Sequence, residues 1–355
     1  MILREATAAD WPEIADFFLA TPLQSGTSFV LDRRPDFGAL PALRGQFRTF
    51  MAFQRQRLVG TATALWHLAR DGTDTTTVGE IIDLRVAPCA RGGRAISHLL
   101  HAVYAVFVAE RVDWIVCLIG KHNRAAISTV AGRVGLPRLE FLEDFASVHF
   151  IAGRIPRLFA ANGVTVRAAE PSDASLLTEL CAESYATQRF APSESLEWPH
   201  STGLYRAWLA FEPDGAPCGA LVIWDGEPVR RLRIVRYSTS DLPLRIAVGV
   251  AARCGMANPL PAPNEVFGVW ASSAVAVRQD DGRTLRALLD AALSAAVAAG
   301  QNVLQINLSA QDPLLRRLPP YLRSTYWSTL YGCQRHAGLI SHLPFKRHHA
   351  DLARV

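Results

Sequence analysis

The chain of 355 residues repeats itself, and the repeat limits what it can fold into. Leu3-Arg4-Glu5-Ala6, followed by Asp10, aligns with Val166-Arg167-Ala168-Ala169, followed by Asp173. Each opening reads as a short strand, a turn and a helix; Asp10 is expected to be an N-cap, with Glu13 three residues on. Hairpins follow in both halves. The first joins Phe47–Phe53 to Leu58–Trp66 across Gln54-Arg55-Gln56-Arg57, and the second joins Tyr205–Phe211 to Cys218–Trp224 across Glu212-Pro213-Asp214-Gly215. Gly93-Arg94-Ala95-Ile96 with Leu99-Leu100 then aligns with Gly282-Arg283-Thr284-Leu285 with Leu288-Leu289. Strands at Trp114–Gly120 and Asn302–Leu308 come next. Two copies of one unit account for this order, the second holding an insert between Gly226 and Asn264 with a helix predicted over Leu242–Arg253.

The stretch from Val78 to Phe107 carries the chemistry. A strand rich in β-branched residues stops at Pro88, passes through Ala90-Arg91-Gly92-Gly93-Arg94-Ala95, and opens into a helix. Ile96, Leu99, Leu100, Val103 and Phe107 give that helix one apolar stripe, with Ser97, His98 and His101 opposite. A helix N-terminus offers unpaired N–H groups and partial positive charge; glycines let an anion approach, and Arg91 and Arg94 add formal charge. The corresponding second loop, Arg278-Gln279-Asp280-Asp281-Gly282-Arg283, has similar spacing but two acids. Each carboxylate would oppose a pyrophosphate at close range by about 1 kcal/mol or more.

These residues resemble motif A of the GNAT N-acetyltransferase superfamily, an Arg/Gln-x-x-Gly-x-Gly/Ala run after a strand ending in a Leu-x-Val-x-Pro-like sequence. Here Leu84-Arg85-Val86-Ala87-Pro88 precedes the loop. Two registers are open, and each departs from the pattern. One sets Gly93 and Ala95 on the small-residue positions with Ala90 at the Arg/Gln position; the other moves Arg91 to that position but sets Arg94 and Ile96 on the small-residue positions. Gly120-Lys121-His122-Asn123-Arg124-Ala125-Ala126 is similar to the family's Asn-x-x-Ala pattern, whereas the second copy has Ser309-Ala310-Gln311-Asp312-Pro313. The fold implied is α/β (α+β by some schemes). It comprises two tandem GNAT-like domains, 1–155 and 164–355, each with a mixed, mostly antiparallel sheet flanked by helices. The first is expected to bind acyl-CoA, the second to be degenerate.

The resemblance implies backbone contacts from Leu84, Arg85 and Val86 to the pantetheine arm, and from Arg91, Gly92, Gly93, Arg94, Ala95 and Ile96 to the pyrophosphate. Asn123 is a further contact on the cofactor side. Glu80 stands where the family often places its general base. Strand alternation groups it with Ile82, Leu84 and Val86, away from Ile81, Asp83 and Arg85, so it is expected as an acid on an apolar face. Asp83 is a second candidate. The family's tyrosine acid is absent, since Val130 stands seven residues after Asn123, and His122 is the substitute considered.

Composition excludes several classes. Half the residues are apolar and 19% are charged, which argues against disorder. No apolar run is long enough to span a bilayer, so a cytoplasmic protein without a membrane partner is expected. The six cysteines are scattered, which suggests neither a metal site nor a disulfide framework, and Cys89 is expected to be packed. His336, His342, His348 and His349 lack ligand spacing and are expected in solvent. A net charge of +5 is modest; Arg230, Arg231, Arg233 and Arg236 read as a solvated strand edge, and nucleic acid is not expected.

The leading reading is transfer of an acetyl group from acetyl-CoA to a small-molecule or protein amine, without a metal, by a monomer with dimer-like halves or by a homodimer. The alternative is a non-catalytic tandem protein that binds acyl-CoA or a partner. A third is aminoacyl transfer from a charged RNA. Pro22–Leu43 and Gly226–Asn264 are the candidate substrate loops.

Overall fold

The computed structural model describes residues 1–25, 27–72, 74–133, 137–153, 163–186, 188–192, 203–335 and 347–350. The first half runs β1 (Ile2–Glu5), α1 (Trp11–Ala20), β2 (Leu23–Ser25), β3 (Thr27–Asp32), α2 (Ala39–Ala42), β4 (Gln46–Gln54), β5 (Arg57–Asp71), β6 (Asp74–Val86), α3 (Ala95–Ala109), β7 (Trp114–Gly120), α4 (Arg124–Ser128) and β8 (Glu140–Ile151). The second opens with β9 (Thr165–Ala168), α5 (Ala174–Tyr185), β10 (Gln188–Arg189), β11 (Ala191–Pro192), β12 (Tyr205–Phe211) and β13 (Pro217–Asp225). It continues with β14 (Arg231–Arg236), α6 (Leu242–Arg253), β15 (Val266–Phe267), β16 (Val269–Val277), α7 (Gly282–Ala298), β17 (Val303–Ser309), α8 (Leu314–Arg317), β18 (Arg323–Gln334) and β19 (Arg347–His348).

One mixed, mostly antiparallel sheet runs through the molecule in the order β1-β4-β5-β6-β7-β18-β8-β17-β16-β13-β12-β9, with β11 added to β5. Read from either end it is the same series, with β18 and β8 meeting at the centre. Each half lends its last long strand to the other: β18 lies along β7 from Ser328↔Gly120 to Gln334↔Trp114, and β8 along β17 from Val303↔Ile151 to Ser309↔Phe145. The two halves therefore share backbone hydrogen bonds.

The repeat is physical as well as textual. Arg4 pairs with Asp10 at 2.6 Å, and Arg167 with Asp173 at 2.6 Å. Asp10 serves its own turn rather than the helix ahead: its carboxylate accepts from the Thr7 N–H at 2.8 Å, a 3₁₀ turn over Ala8–Asp10 precedes α1, and no side-chain cap forms. Helix α3 buries Leu99, Val103 and Phe107 against the first half of the sheet, and α7 buries Leu285, Leu288, Leu289 and Ala292 against the second. Glycine admits both helices. A Cβ on Gly60 would lie 3.0 Å from Leu99 Cδ1, and one on the aligned Gly219 would lie 2.8 Å from Thr284 Cγ2.

Two local features differ from expectation. The first hairpin closes on only Arg55 and Gln56, both at positive φ (49° and 63°), in a tighter loop than four polar residues suggest. The arginine-rich β14 is not a sheet edge. It pairs with β15 on one side and β3 on the other, Arg231↔Asp32 through Arg236↔Ser28, in a second sheet of order β15-β14-β3-β2. Both candidate substrate loops thus meet in one structure.

Candidate acyl-CoA site

Strands β6 and β7 run parallel for three residues and then part. Val78, Gly79 and Glu80 pair with Trp114, Ile115 and Val116, and no pairing continues beyond. At Gly79 a Cβ would lie 2.8 Å from the Phe107 ring, so glycine lets α3 press on the point of divergence. The register of β5 with β6 shifts between Thr61↔Arg85 and Thr63↔Ile82, and within the shift Asp83 has φ 54°.

This bulge resets the alternation. Ile81, Leu84 and Val86 all pack with α3, whereas Asp83 and Arg85 point to the opposite face, toward α1. Glu80 lies there too, so the expected grouping of Glu80 with Leu84 and Val86 is corrected: an extra residue inverts every side chain downstream. The Ala87 N–H donates to the Val59 carbonyl at 2.9 Å, which turns Arg85 toward β5 and leaves the Leu84 and Val86 backbone groups facing the gap. The Arg85 side chain is buried, donating to the Phe18 and Thr21 carbonyls, and burial draws its pKa down to about 10.

On the α3 side the gap is a cavity walled by Ile81, Leu84, Leu100, Tyr104, Ile119 and Val130, among others. Cys117 also lines it, with its Sγ 3.7 Å from the Ile81 carbonyl; burial pushes the thiol up to about 12, which rules out a thiolate near neutral pH.

The two helix N-termini differ. Arg91, Gly92, Gly93 and Arg94 are exposed, Gly92 has φ 77° with open space around it, and no side chain caps α3. At α7, Asp281 accepts from the N–H groups of Arg283 and Thr284, both at 3.2 Å. The position that an incoming anion would take is filled there by the protein's own carboxylate. The second gap differs as well. Strands β16 and β17 pair from Val269↔Val303 to Ala271↔Gln305, then Ser272 and Asn307 bridge the opening, the Asn307 N–H donating to Ser272 Oγ at 2.9 Å. In the position of Glu80 this half has Ala271.

Glu80 is not a lone acid on an apolar face. Arg44 Nη2 lies 2.6 Å from its Oε2 and His67 Nδ1 3.6 Å from its Oε1, with Arg44 3% and Glu80 18% exposed. Asp83 is held more fully: Arg33 Nη1 donates to both of its carboxylate oxygens at 2.8 Å, and the Arg33 guanidinium stacks 3.7 Å from the Phe37 ring centroid. Arg33, Arg44 and His67 escaped sequence reasoning, since they stand far from Glu80 and Asp83 in the chain and match no motif.

Asn123 is the N-cap of α4, its Oδ1 accepting from the Ala126 N–H at 3.1 Å. His122 beside it is exposed, whereas Lys121 pairs with Asp144 at 2.6 Å. Val130 lines the cavity as an aliphatic wall. On the other face of the sheet, at the end of β7, Tyr326 of β18 places its hydroxyl where a Cβ of Gly120 would stand.

Two further expectations are corrected. Cys89 is exposed, because the 3₁₀ turn over Pro88–Ala90 buries none of its residues. His348 is not in solvent: its N–H and Nδ1 meet Glu143 Oε2 and its ring lies on Phe190, while His349 stacks edge-on with Tyr185. Pairing of β19 with β10 carries both there. His336 and His342 lie outside the described residues. Among the described residues no group of three His, Cys, Asp or Glu side chains is placed to hold a metal ion, and no helix is long and apolar enough to cross a membrane.

Over most of its length the chain has the fold of solved GNAT-type N-acyltransferase structures. Two solved structures of Saccharomyces cerevisiae N-myristoyltransferase with bound myristoyl-CoA superpose on it. One has TM-score 0.61 and 12% identity over 94% of this chain and 78% of that one; the other has TM-score 0.58 and 12% identity over 93% and 82%. A GCN5-related N-acetyltransferase from Anabaena variabilis ATCC 29413 matches with TM-score 0.51 and 10% identity, over 93% of this chain and 72% of that one. No protein-family model and no curated protein matches the sequence.

Proposed function

We propose that this protein is an acyl-CoA-dependent N-acyltransferase, with acetyl as the simplest group moved and a small-molecule or protein amine as acceptor. The observation that carries the reading is the parting of β6 and β7 in front of an uncapped, arginine-flanked helix start. Acyl-CoA is assigned to residues 1–155. Amides from Arg91 to Ile96 and the N-terminus of α3 suit its pyrophosphate, and the backbone edge of Leu84 and Val86 suits the amides of a pantetheine arm.

Chemistry requires that the amine lose a proton and the departing thiolate gain one. Glu80 is the proposed base, directly or through a water, and the left-handed bulge at Asp83 supports a role for the Leu84 N–H in receiving the thioester oxygen. His122 remains the proposed acid. Residues 164–355 are assigned substrate shaping and no second nucleotide, an assignment supported by the self-capped α7 and the bridged second gap.

A non-catalytic acyl-CoA binder is the second reading, favoured by the Arg44 contact on Glu80 and by Val130 in place of a tyrosine. Free-thiol release from acetyl-CoA with a panel of amines, run beside calorimetric titration with coenzyme A, separates the two. Binding at one site with release that Glu80→Gln abolishes supports the enzyme. Binding without release for any amine supports the binder, and two sites per chain would overturn the assignment to the first half.

A further inference from the structure

Helix α6 shows its apolar side to water. Leu242, Ile246 and Val250, at i, i+4 and i+8, are 52%, 59% and 54% exposed, while Val248 is the buried residue of the helix; Met256, just beyond it, is 46% exposed. These three aliphatic side chains share one stripe, the reverse of an ordinary surface helix. No acid lies within α6, and its arginines, Arg245 and Arg253, are exposed.

Charge identifies the occupant. Residues 226–264 carry six arginines against Glu227 and Asp241, and so hold four of the chain's five net positive charges. Asp241 is turned inward, accepting from the Thr27 hydroxyl, and Arg233 is answered by Asp32 at 3.3 Å. A second copy packed two-fold on this face would set the arginines of one helix against those of the other, with no acid on α6 to answer them. A nucleic acid would leave the aliphatic stripe unused, because a duplex is held through its phosphates and a single strand by stacking on aromatic rings. Aliphatic side chains rimmed by arginines match a bilayer interface with anionic headgroups.

We propose that α6 seats this protein peripherally on an anionic lipid surface, with Leu242, Ile246 and Val250 entering the acyl-chain boundary and Arg245 and Arg253 contacting lipid phosphates. The contact is a surface one and replaces the expectation of no membrane partner. It stands independently of acyl transfer. Through Ser238, whose N–H donates to Thr27 Oγ1 at 2.8 Å, the helix is tied to β3, and Arg33 immediately after β3 holds Asp83.

Co-sedimentation of the full chain with vesicles of phosphatidylcholine, and of phosphatidylcholine mixed with phosphatidylserine, tests this. Binding is expected to the mixed vesicles, falling with salt. The double variant Ile246→Glu/Val250→Glu should lose it by more than about tenfold, and Arg245→Gln and Arg253→Gln should each weaken it by about fivefold. Circular dichroism should be unchanged, since these side chains already face water. Absence of wild-type binding, equal binding to neutral vesicles, or full binding by the glutamate variant would overturn the proposal. So would a concentration-dependent dimer abolished by Ile246→Glu, which would assign the stripe to a second copy.

Discussion

Arg44 Nη2 lies 2.6 Å from Glu80 Oε2, and the arginine is almost wholly buried. An acid chosen for its place on a strand thus belongs to an ion pair with a residue that follows α2. Removing the Glu80 carboxylate takes one charge-assisted hydrogen bond from the guanidinium, at a cost of about 1.5 to 3 kcal/mol. Glu80→Gln should therefore lower thermal stability, and Glu80→Gln/Arg44→Met should regain part of the loss. If Glu80 is the base, the double variant stays inactive in thiol release although its melting temperature partly recovers. Activity returning with stability would assign Glu80 a structural role.

The contrast between α3 and α7 gives a reciprocal pair of tests. Arg94→Asp would set a carboxylate at the start of α3, where Asp281 stands at the start of α7. It should stabilise the helix by about 0.3 to 1 kcal/mol through the dipole while opposing coenzyme A by about 1 kcal/mol or more. Asp281→Ala should cost about 1 kcal/mol in a thermal melt and leave coenzyme A affinity unchanged by calorimetry.

Gly60→Ala and Gly219→Ala should behave alike, because the same helix-on-strand contact crowds both sites. Each is expected to cost about 1 to 3 kcal/mol in denaturant unfolding, as overpacked cores do. Gly120→Ala should cost at least as much, since its Cβ coincides with the Tyr326 hydroxyl, and Tyr326→Phe should partly relieve that variant.

His149 on β8 supplies a pH prediction. Burial holds its pKa down to about 4, partly offset by the Gln305 side chain at 3.2 Å, against an ordinary value near 6.5. The unfolded chain takes up this proton first, so the histidine's contribution is complete above about pH 6.5 and is lost as pH falls toward 4. Melting temperature should drop across that window in the wild type, and less steeply in His149→Gln.

Much of this was legible in advance. Helix α6 spans Leu242–Arg253 as its periodicity predicts, α3 buries Leu99, Leu100, Val103 and Phe107 as the stripe requires, and the aligned Gly60 and Gly219 meet the same crowding. These are local properties, carried by side-chain period and by repeats. The faces of β6 are not legible in its sequence because a bulge has no side-chain signature: Asp83 takes φ 54° without being glycine, and everything after it inverts.

The sequence by itself determined that two copies of a strand–loop–helix unit exist and that acids occupy the loop of one and arginines that of the other, since period, spacing and charge are written residue by residue. Only the tertiary structure decided that β18 and β8 change places between the halves, that Arg33 and Arg44 engage Asp83 and Glu80, and that His348 reaches Glu143. These contacts join residues tens to hundreds of positions apart. Burial of a shared sheet selects them, and no local propensity encodes which distant partner a strand or a charge will meet.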